Sequence, residues 1–166
     1  IGVKVGAAMS DEWLQELVTV LDPLHTPGRL TLIHRFGAKD IEQQLRRAIE
    51  AVRRTGHTVL WCCDPMHGNT FTAPSGRKTR HFDAILAEIR GFFDAHAAEG
   101  TWPGGVHVEL TGDDVTECLG GADALLDDDL GLRYESGRGF VPGGDAAPAA
   151  PGTQPAAPKA LQGGKL

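Results

Sequence analysis

This sequence predicts an α/β fold built from repeated strand–helix units around a parallel sheet, on the strength of three observations. Four short segments of strand character alternate with helical apolar stripes. The connections between them suit right-handed crossovers, and polar, chemically versatile residues stand at the carboxyl ends of the strands, where parallel α/β folds place their chemistry. Four units are half of the eight that close a (β/α)8 barrel.

Ile1 to Val5 reads as a strand already in full course, ended by Gly6. The chain does not begin with Met, so a piece of something longer is expected. Ser10 suits a helix N-cap, with Asp11 and Glu12 favourable at the positive end of the helix dipole. Trp13, Leu14, Leu17, Val18 and Leu21 then form one apolar face, expected in the core, until Pro23 stops the helix.

Arg29 to Arg35 is the second strand, with a turn at Gly37. Asp40 with Gln43 resembles a capping box for the stripe Ile41, Leu45, Ala48, Ile49 and Val52, and Gly56 closes that helix as a left-handed residue. Thr58 to Cys63 is the third strand, apolar enough to be covered on both faces, and Pro65 stops further pairing. Asp64 to His81 forms a loop well beyond the usual βα connection, which marks it as functional. Phe82, Ile85, Leu86, Ile89 and Phe92 begin a third helix ending near Gly100. Gly105 to Leu110 is the fourth strand, and a short helical segment follows from about Asp113 to Cys118. Ala, Gly and Pro dominate from Gly137 to Leu166, too little apolar surface to offset the entropy of ordering, so residues 137–166 are expected to be a disordered tail behind a domain of residues 1–136.

The chain has 166 residues, enough for one domain with a real core. Its net charge of -6 argues against general nucleic-acid binding while leaving room for an anionic substrate held by local cations. No membrane-spanning run and no signal peptide are read in it. Three cysteines (Cys62, Cys63 and Cys118) form no disulfide scaffold, so a reducing, cytoplasmic setting is expected.

Lys4, Arg35, His67 and Glu109 are the residues of interest at the strand ends. A Lys at the centre of a buried strand is costly unless an anion meets it, so Lys4 reads either as a ligand for an anion or as the ion-pair partner of Glu109. Imidazole plus carboxylate at His67 and Glu109 suits Mn, Fe, Co or Zn, although two ligands do not complete a site. A lone His after a strand also fits a structural role, and Glu109 equally suits a general base. The run Arg77-Lys78-Thr79-Arg80 is either a phosphate site or a solvated face. Asp127-Asp128-Asp129 lacks the alternating ligands of a calcium loop and reads as an exposed acidic turn.

Several of these segments together resemble a known family. They are Gly2-Val3-Lys4-Val5-Gly6, Arg35-Phe36-Gly37, Trp61-Cys62-Cys63-Asp64-Pro65-Met66-His67-Gly68-Asn69-Thr70, Lys78-Thr79-Arg80, His107-Val108-Glu109-Leu110-Thr111-Gly112 and Thr116-Glu117-Cys118. In this order, up to about Ser136, the chain resembles class II (plant-type) 3-deoxy-D-arabino-heptulosonate 7-phosphate (DAHP) synthase. The resemblance implies a (β/α)8 TIM barrel, of which this chain would be the C-terminal half, strands five to eight. It implies a transferase that condenses phosphoenolpyruvate with erythrose 4-phosphate at the start of the shikimate pathway. Lys4 and Arg35 would bind phosphoenolpyruvate, Lys78 and Arg80 would add to the substrate site, and His67 and Glu109 would ligate a divalent Mn, Co, Zn or Fe, with Lys4, Arg35 and His67 the catalytic group.

The chain also departs from the family. A metal-ligating Cys would lie before Ile1, and Gly139 stands where a ligating Asp would align. The expectation is therefore a fragment inactive alone, which self-associates or is complemented by a first-half chain. The alternative is a non-catalytic half-barrel that binds a complete synthase or a phosphorylated ligand. An open doubly wound domain is a third reading, recognisable by a reversal of strand order.

Overall fold

The computed structural model describes residues 1–109, 117–121, 124–130, 132–133 and 138–139. Its centre is a four-stranded parallel sheet of β1 (Gly2–Gly6), β2 (Thr31–Arg35), β3 (Leu60–Cys63) and β6 (Pro103–Val106), which lie side by side in chain order. Helices α1 (Asp11–Leu21), α2 (Ile41–Arg53) and α3 (Phe82–Glu99) form the connections, and α2 lies between the other two. Strand order never reverses within this sheet, so the doubly wound reading is set aside.

The register aligns Val5 with His34 and His34 with Cys63, and it aligns Lys4 with Ile33 and Ile33 with Cys62. The first row is buried beside Leu32 and Trp61 under the helices, against Leu14, Val18, Leu45, Ile49, Val52 and Phe92. Side chains alternate along a strand, so Lys4, Ile33 and Cys62 fall on the opposite face. The Lys4 side chain is accordingly 38% exposed rather than buried, and its ion partner is Asp64 instead of Glu109.

Ser10 caps α1 as expected, its Oγ accepting from the Trp13 N–H at 3.2 Å. Leu14 and Val18 are buried, but Trp13 is 50% exposed, because α1 is an outer helix and this side of it has no neighbour among the described residues. The capping box at Asp40 does not form. Asp40 already has helical backbone angles, being drawn in by the turn in which its N–H donates to Gly37 O, so its carboxylate makes no cap bond. Gly56 is left-handed (φ 73°) but follows one extra turn, since α2 ends at Arg53. Gly100 caps α3 in the left-handed conformation.

The third strand is shorter than expected. The long connection after it also carries structure of its own, an antiparallel pair of β4 (Phe71–Thr72) and β5 (Lys78–His81). The short strand β7 (Cys118–Leu119) pairs parallel to β5, so Cys118 ends in a strand and not in a helix. The fourth main strand runs from Pro103 to Val106; Leu110 and the remainder of the expected 113–118 helix before Glu117 lie outside the described residues. Asp127–Asp129 form a single 3-10 turn, in which Asp127 accepts from the Ser75 N–H and hydroxyl at 2.9 and 2.7 Å. The expected tail lies outside the described residues except at β9 (Arg138–Gly139), which pairs antiparallel with β8 (Leu132–Arg133).

Candidate functional site

Asp64 is the hub of the site. It follows β3, and its N–H donates to His34 O at 2.8 Å, which extends the ladder by one residue and aims the carboxylate across the sheet end. The side chain is almost wholly buried, yet every described contact is a donor. The Lys4 ammonium donates to Oδ2, the Met66 and His67 N–H groups donate to Oδ1 at 3.2 Å each, and His67 Nδ1 lies 2.8 Å from Oδ2. Burial alone would raise this carboxyl's pKa, but the bonds from Lys4 and His67 outweigh it and hold it below the usual range.

The contact with Asp64 assigns the proton of His67 to Nδ1 and leaves Nε2 as the free lone pair. That nitrogen lies 3.6 Å from Glu109 Oε2, and the other Glu109 oxygen is 4.0 Å from His107 Nε2. A carboxylate that orients an imidazole whose second nitrogen faces another carboxylate is the arrangement that holds divalent metals in proteins. The donor set at His67 and Glu109 therefore fits such an ion. Glu109 is 64% exposed, which leaves its oxygens reachable.

Lys4, His67 and Glu109 are thus brought together through Asp64. Arg35 ends β2 with its side chain exposed, and its register partner is Gly6. A Cβ at Gly6 would meet Arg35 Nε at 3.9 Å, an ordinary contact, so the two strand ends lie side by side. Lys78 and Arg80 lie on β5; Lys78 is exposed, whereas Arg80 is largely covered and pairs with Glu117 at 3.8 Å. No described hydrogen bond or ion pair links either to the other four residues.

Two loops meet beneath the site. Gly37, with φ at 86°, faces Gly68, and a Cβ on Gly68 would fall 2.5 Å from Gly37 N, so the backbones touch where no side chain fits. Glu88 of α3 reaches this junction from below, fully buried. Its Oε1 accepts from Phe36 N–H at 3.0 Å and its Oε2 from Asn69 Nδ2 at 2.7 Å. Asn69 also donates to Pro65 O and accepts from Ala38 N–H. Desolvation raises the Glu88 pKa despite these bonds.

A second ligand group, His34, Cys63 and Glu88, has ligand atoms within 4.8 Å of one another. It reads as core. Burial holds the His34 pKa down to about 3 and pushes the Cys63 thiol up, while both Glu88 oxygens already accept N–H groups. His34 stacks on Phe36 at 5.0 Å.

Sequence reasoning singled out Lys4, Arg35, His67 and Glu109, and placed Asp64, Asn69 and Thr70 with His67 at the strand's carboxyl end without a specific role, but it did not single out His107 or Glu88. Asp64 was legible in principle, since a carboxylate three residues before a His in a turn can bond it. Glu88 was not, because a Glu in a helical stripe looks like an ordinary surface residue.

The profile of the Class-II DAHP synthetase family matches residues 1–138. The chain is 54% identical over 136 residues to the phospho-2-dehydro-3-deoxyheptonate aldolase AroG of Mycolicibacterium smegmatis, covering 82% of this chain and 29% of that protein. It is 53% identical over 136 residues to the phospho-2-dehydro-3-deoxyheptonate aldolase of Streptomyces coelicolor, covering 82% of this chain and 30% of that protein. The chain thus spans less than a third of these relatives. With a match that runs through every residue of the site just described, this chain belongs to the class II DAHP synthase family, a family of transferase enzymes.

Proposed function

We propose that this chain is the phosphoenolpyruvate- and metal-holding part of a DAHP synthase, equivalent to strands five to eight of its barrel, and that turnover requires the rest of that barrel. The observation that carries this reading is the chain of contacts from Lys4 through Asp64 to His67 and on to Glu109, with Arg35 at the next strand end. Lys4 and Arg35 hold the carboxylate and phosphate of phosphoenolpyruvate, Lys as a point charge and Arg as a planar fork. Asp64 keeps one negative charge against Lys4, so the ammonium stays in place before the anion arrives. His67 Nε2 and Glu109 Oε2 hold the divalent ion, which when bound supplies polarisation of an aldehyde carbonyl such as that of erythrose 4-phosphate. Lys78, exposed at the start of β5 and without an ion pair among the described residues, is a cation for a second phosphate, and Arg80 reaches one only by loosening Glu117.

The sheet's edges, β1 and β6, are unpaired among the described residues, and both outer helices carry apolar stripes. On α1 these are Trp13, Leu17 and Val20; on α3, Phe82, Leu86, Ile89 and Phe93, with Trp13, Val20, Phe82 and Phe93 all exposed. These edges and stripes support association with a first-half polypeptide or a second copy. A cytoplasmic setting accords with the biosynthetic role, and no described helix is long and apolar enough to cross a membrane.

The test is product formation from phosphoenolpyruvate, erythrose 4-phosphate and Mn(II). We expect none from the chain alone, and product when the unmatched part of the M. smegmatis relative is supplied as a separate polypeptide. Appreciable turnover by the chain alone would sink the requirement for the rest of the barrel. Failure to bind phosphoenolpyruvate at all, alone or complemented, would sink the assignment itself. The non-catalytic alternative predicts binding without product in both arms.

A further inference from the structure

Glu88 lies on the helix side of the sheet, where a carboxylate is expensive to bury. Core side chains cover it completely, and no cation contacts it among the described residues at normal ion-pair range; the nearest, His34 Nδ1, is 4.0 Å away and neutral. A methyl-bearing side chain would fill the same volume without that cost. What the carboxylate does instead is to accept from both loops of the site at once. One oxygen takes the N–H of Phe36, the residue after Arg35. The other takes the Asn69 amide, two residues after His67.

Asn69 completes the link in both directions. Its amide also donates to Pro65 O at 2.7 Å, within its own loop, and its Oδ1 accepts from Ala38 N–H at 2.8 Å, in the loop after Arg35. The two backbones are pressed together at Gly37 and Gly68, so no slack remains between them. Arg35 ends β2 and His67 lies in the turn after β3, and no described hydrogen bond joins their side chains. Beyond the sheet pairing and the Asp64 contacts, their relative position depends on the two loops, which Glu88 and Asn69 join.

We infer that Glu88, acting with Asn69, is a positioning residue that fixes the spacing between the anion-binding Arg35 and the imidazole of His67 from the far side of the sheet. The inference rests on the proposed function for its ligands, but the clamp itself has a readout that needs none. A carboxylate suits the task because it offers only acceptors to the converging Phe36 and Asn69 N–H donors. An amide at the same place turns one of its ends into a donor and faces the Asn69 amide with another N–H.

The experiment compares the full chain with Glu88→Gln and with the exchange Glu88→Gln plus Asn69→Asp. In the exchange, the amide introduced at position 88 donates to the carboxylate introduced at position 69, and that carboxylate still accepts from Ala38 N–H, while the bond from position 69 to Pro65 O is given up. Folded fraction is followed by circular dichroism, and the ligand-free site by nitrogen-15 shifts of the His67 ring and the Arg35 Nε–H. Binding is followed by titration with phosphoenolpyruvate in the presence of Mn(II). We expect Glu88→Gln to stay folded, to broaden or move the His67 ring signals, and to weaken phosphoenolpyruvate binding by ~10-fold or more, with the exchange recovering part of both. A folded Glu88→Gln protein with unchanged His67 and Arg35 signals overturns the inference, as does an exchange variant that recovers nothing. If Glu88→Gln fails to fold, recovery of fold and His67 signals in the exchange supports the clamp, and its absence overturns it. A wild-type chain that binds neither probe, alone or complemented, defeats the proposed function, and the ligand-free signals then decide the clamp by themselves.

Discussion

At the scale of single residues, the site depends on what buried ionisable groups are made to do. Asp64 is charged because donors surround it, and it hands His67 a fixed tautomer. Asp64→Asn would leave an amide that can turn its NH2 toward Lys4 or toward His67, so the imidazole loses its anchor. Mn(II) affinity is expected to fall about 10- to 100-fold, read by electron paramagnetic resonance titration; undiminished affinity would show that His67 is oriented by something else. His34 gives a prediction of opposite character. Its folded pKa is about 3 against 6.5 in its ordinary state, because burial disfavours the imidazolium. Between those values the unfolded chain takes up a proton that the folded chain refuses, so stability is lost as pH falls through 6.5 and is retained above it. Relative to His34→Leu, the wild type should lose about 1.4 kcal/mol between about pH 7.5 and about pH 5.5, measured by urea unfolding at both values. Equal losses in the two proteins would mean that His34 protonates in place.

At the scale of elements, helix starts show how like-looking sequences part ways. Ser10 and Asp40 both stand where an N-cap is expected, but only Ser10 has extended backbone and accepts from an N–H. Ser10→Ala should cost about 1 kcal/mol, whereas Asp40→Ala should stay within about 0.5 kcal/mol, both by chemical unfolding. A comparable cost at Asp40 would mean its carboxylate does cap α2. The connection after β3 teaches a related lesson: its length marked it as functional, and it holds its shape through the β4–β5 pair and the ring stacking of Phe71 on His81 at 4.8 Å.

At the scale of the whole molecule, the four strands leave two open edges among the described residues, with an apolar stripe beside each. Two copies satisfy both edges at once if β6 of each meets β1 of the other, whereas a single unclosed contact would propagate into a chain of copies. The isolated chain should therefore scatter light as a closed dimer at micromolar concentration, and Trp13→Glu with Phe93→Glu should shift it toward monomer. A well-behaved wild-type monomer would remove self-association from the picture and leave the first-half polypeptide as the partner to seek.

The sequence by itself determined the order of strands and helices, because period-2 and period-3.6 apolar patterns and the turn glycines are local properties. It also pointed to Lys4, Arg35, His67 and Glu109, since their residue types and motif context do not depend on packing. Only the tertiary structure decided which of them touch. The partner of Lys4 is Asp64, 60 residues away in sequence, and Glu88 serves loops that begin 52 residues before it. The missed exposure of Trp13 has the same origin: an apolar stripe shows which face of a helix is apolar, but whether that face is covered depends on which elements lie beside it. Pattern is written along the chain, whereas the choice of partner for a charge or a stripe is made across the sheet by register and burial.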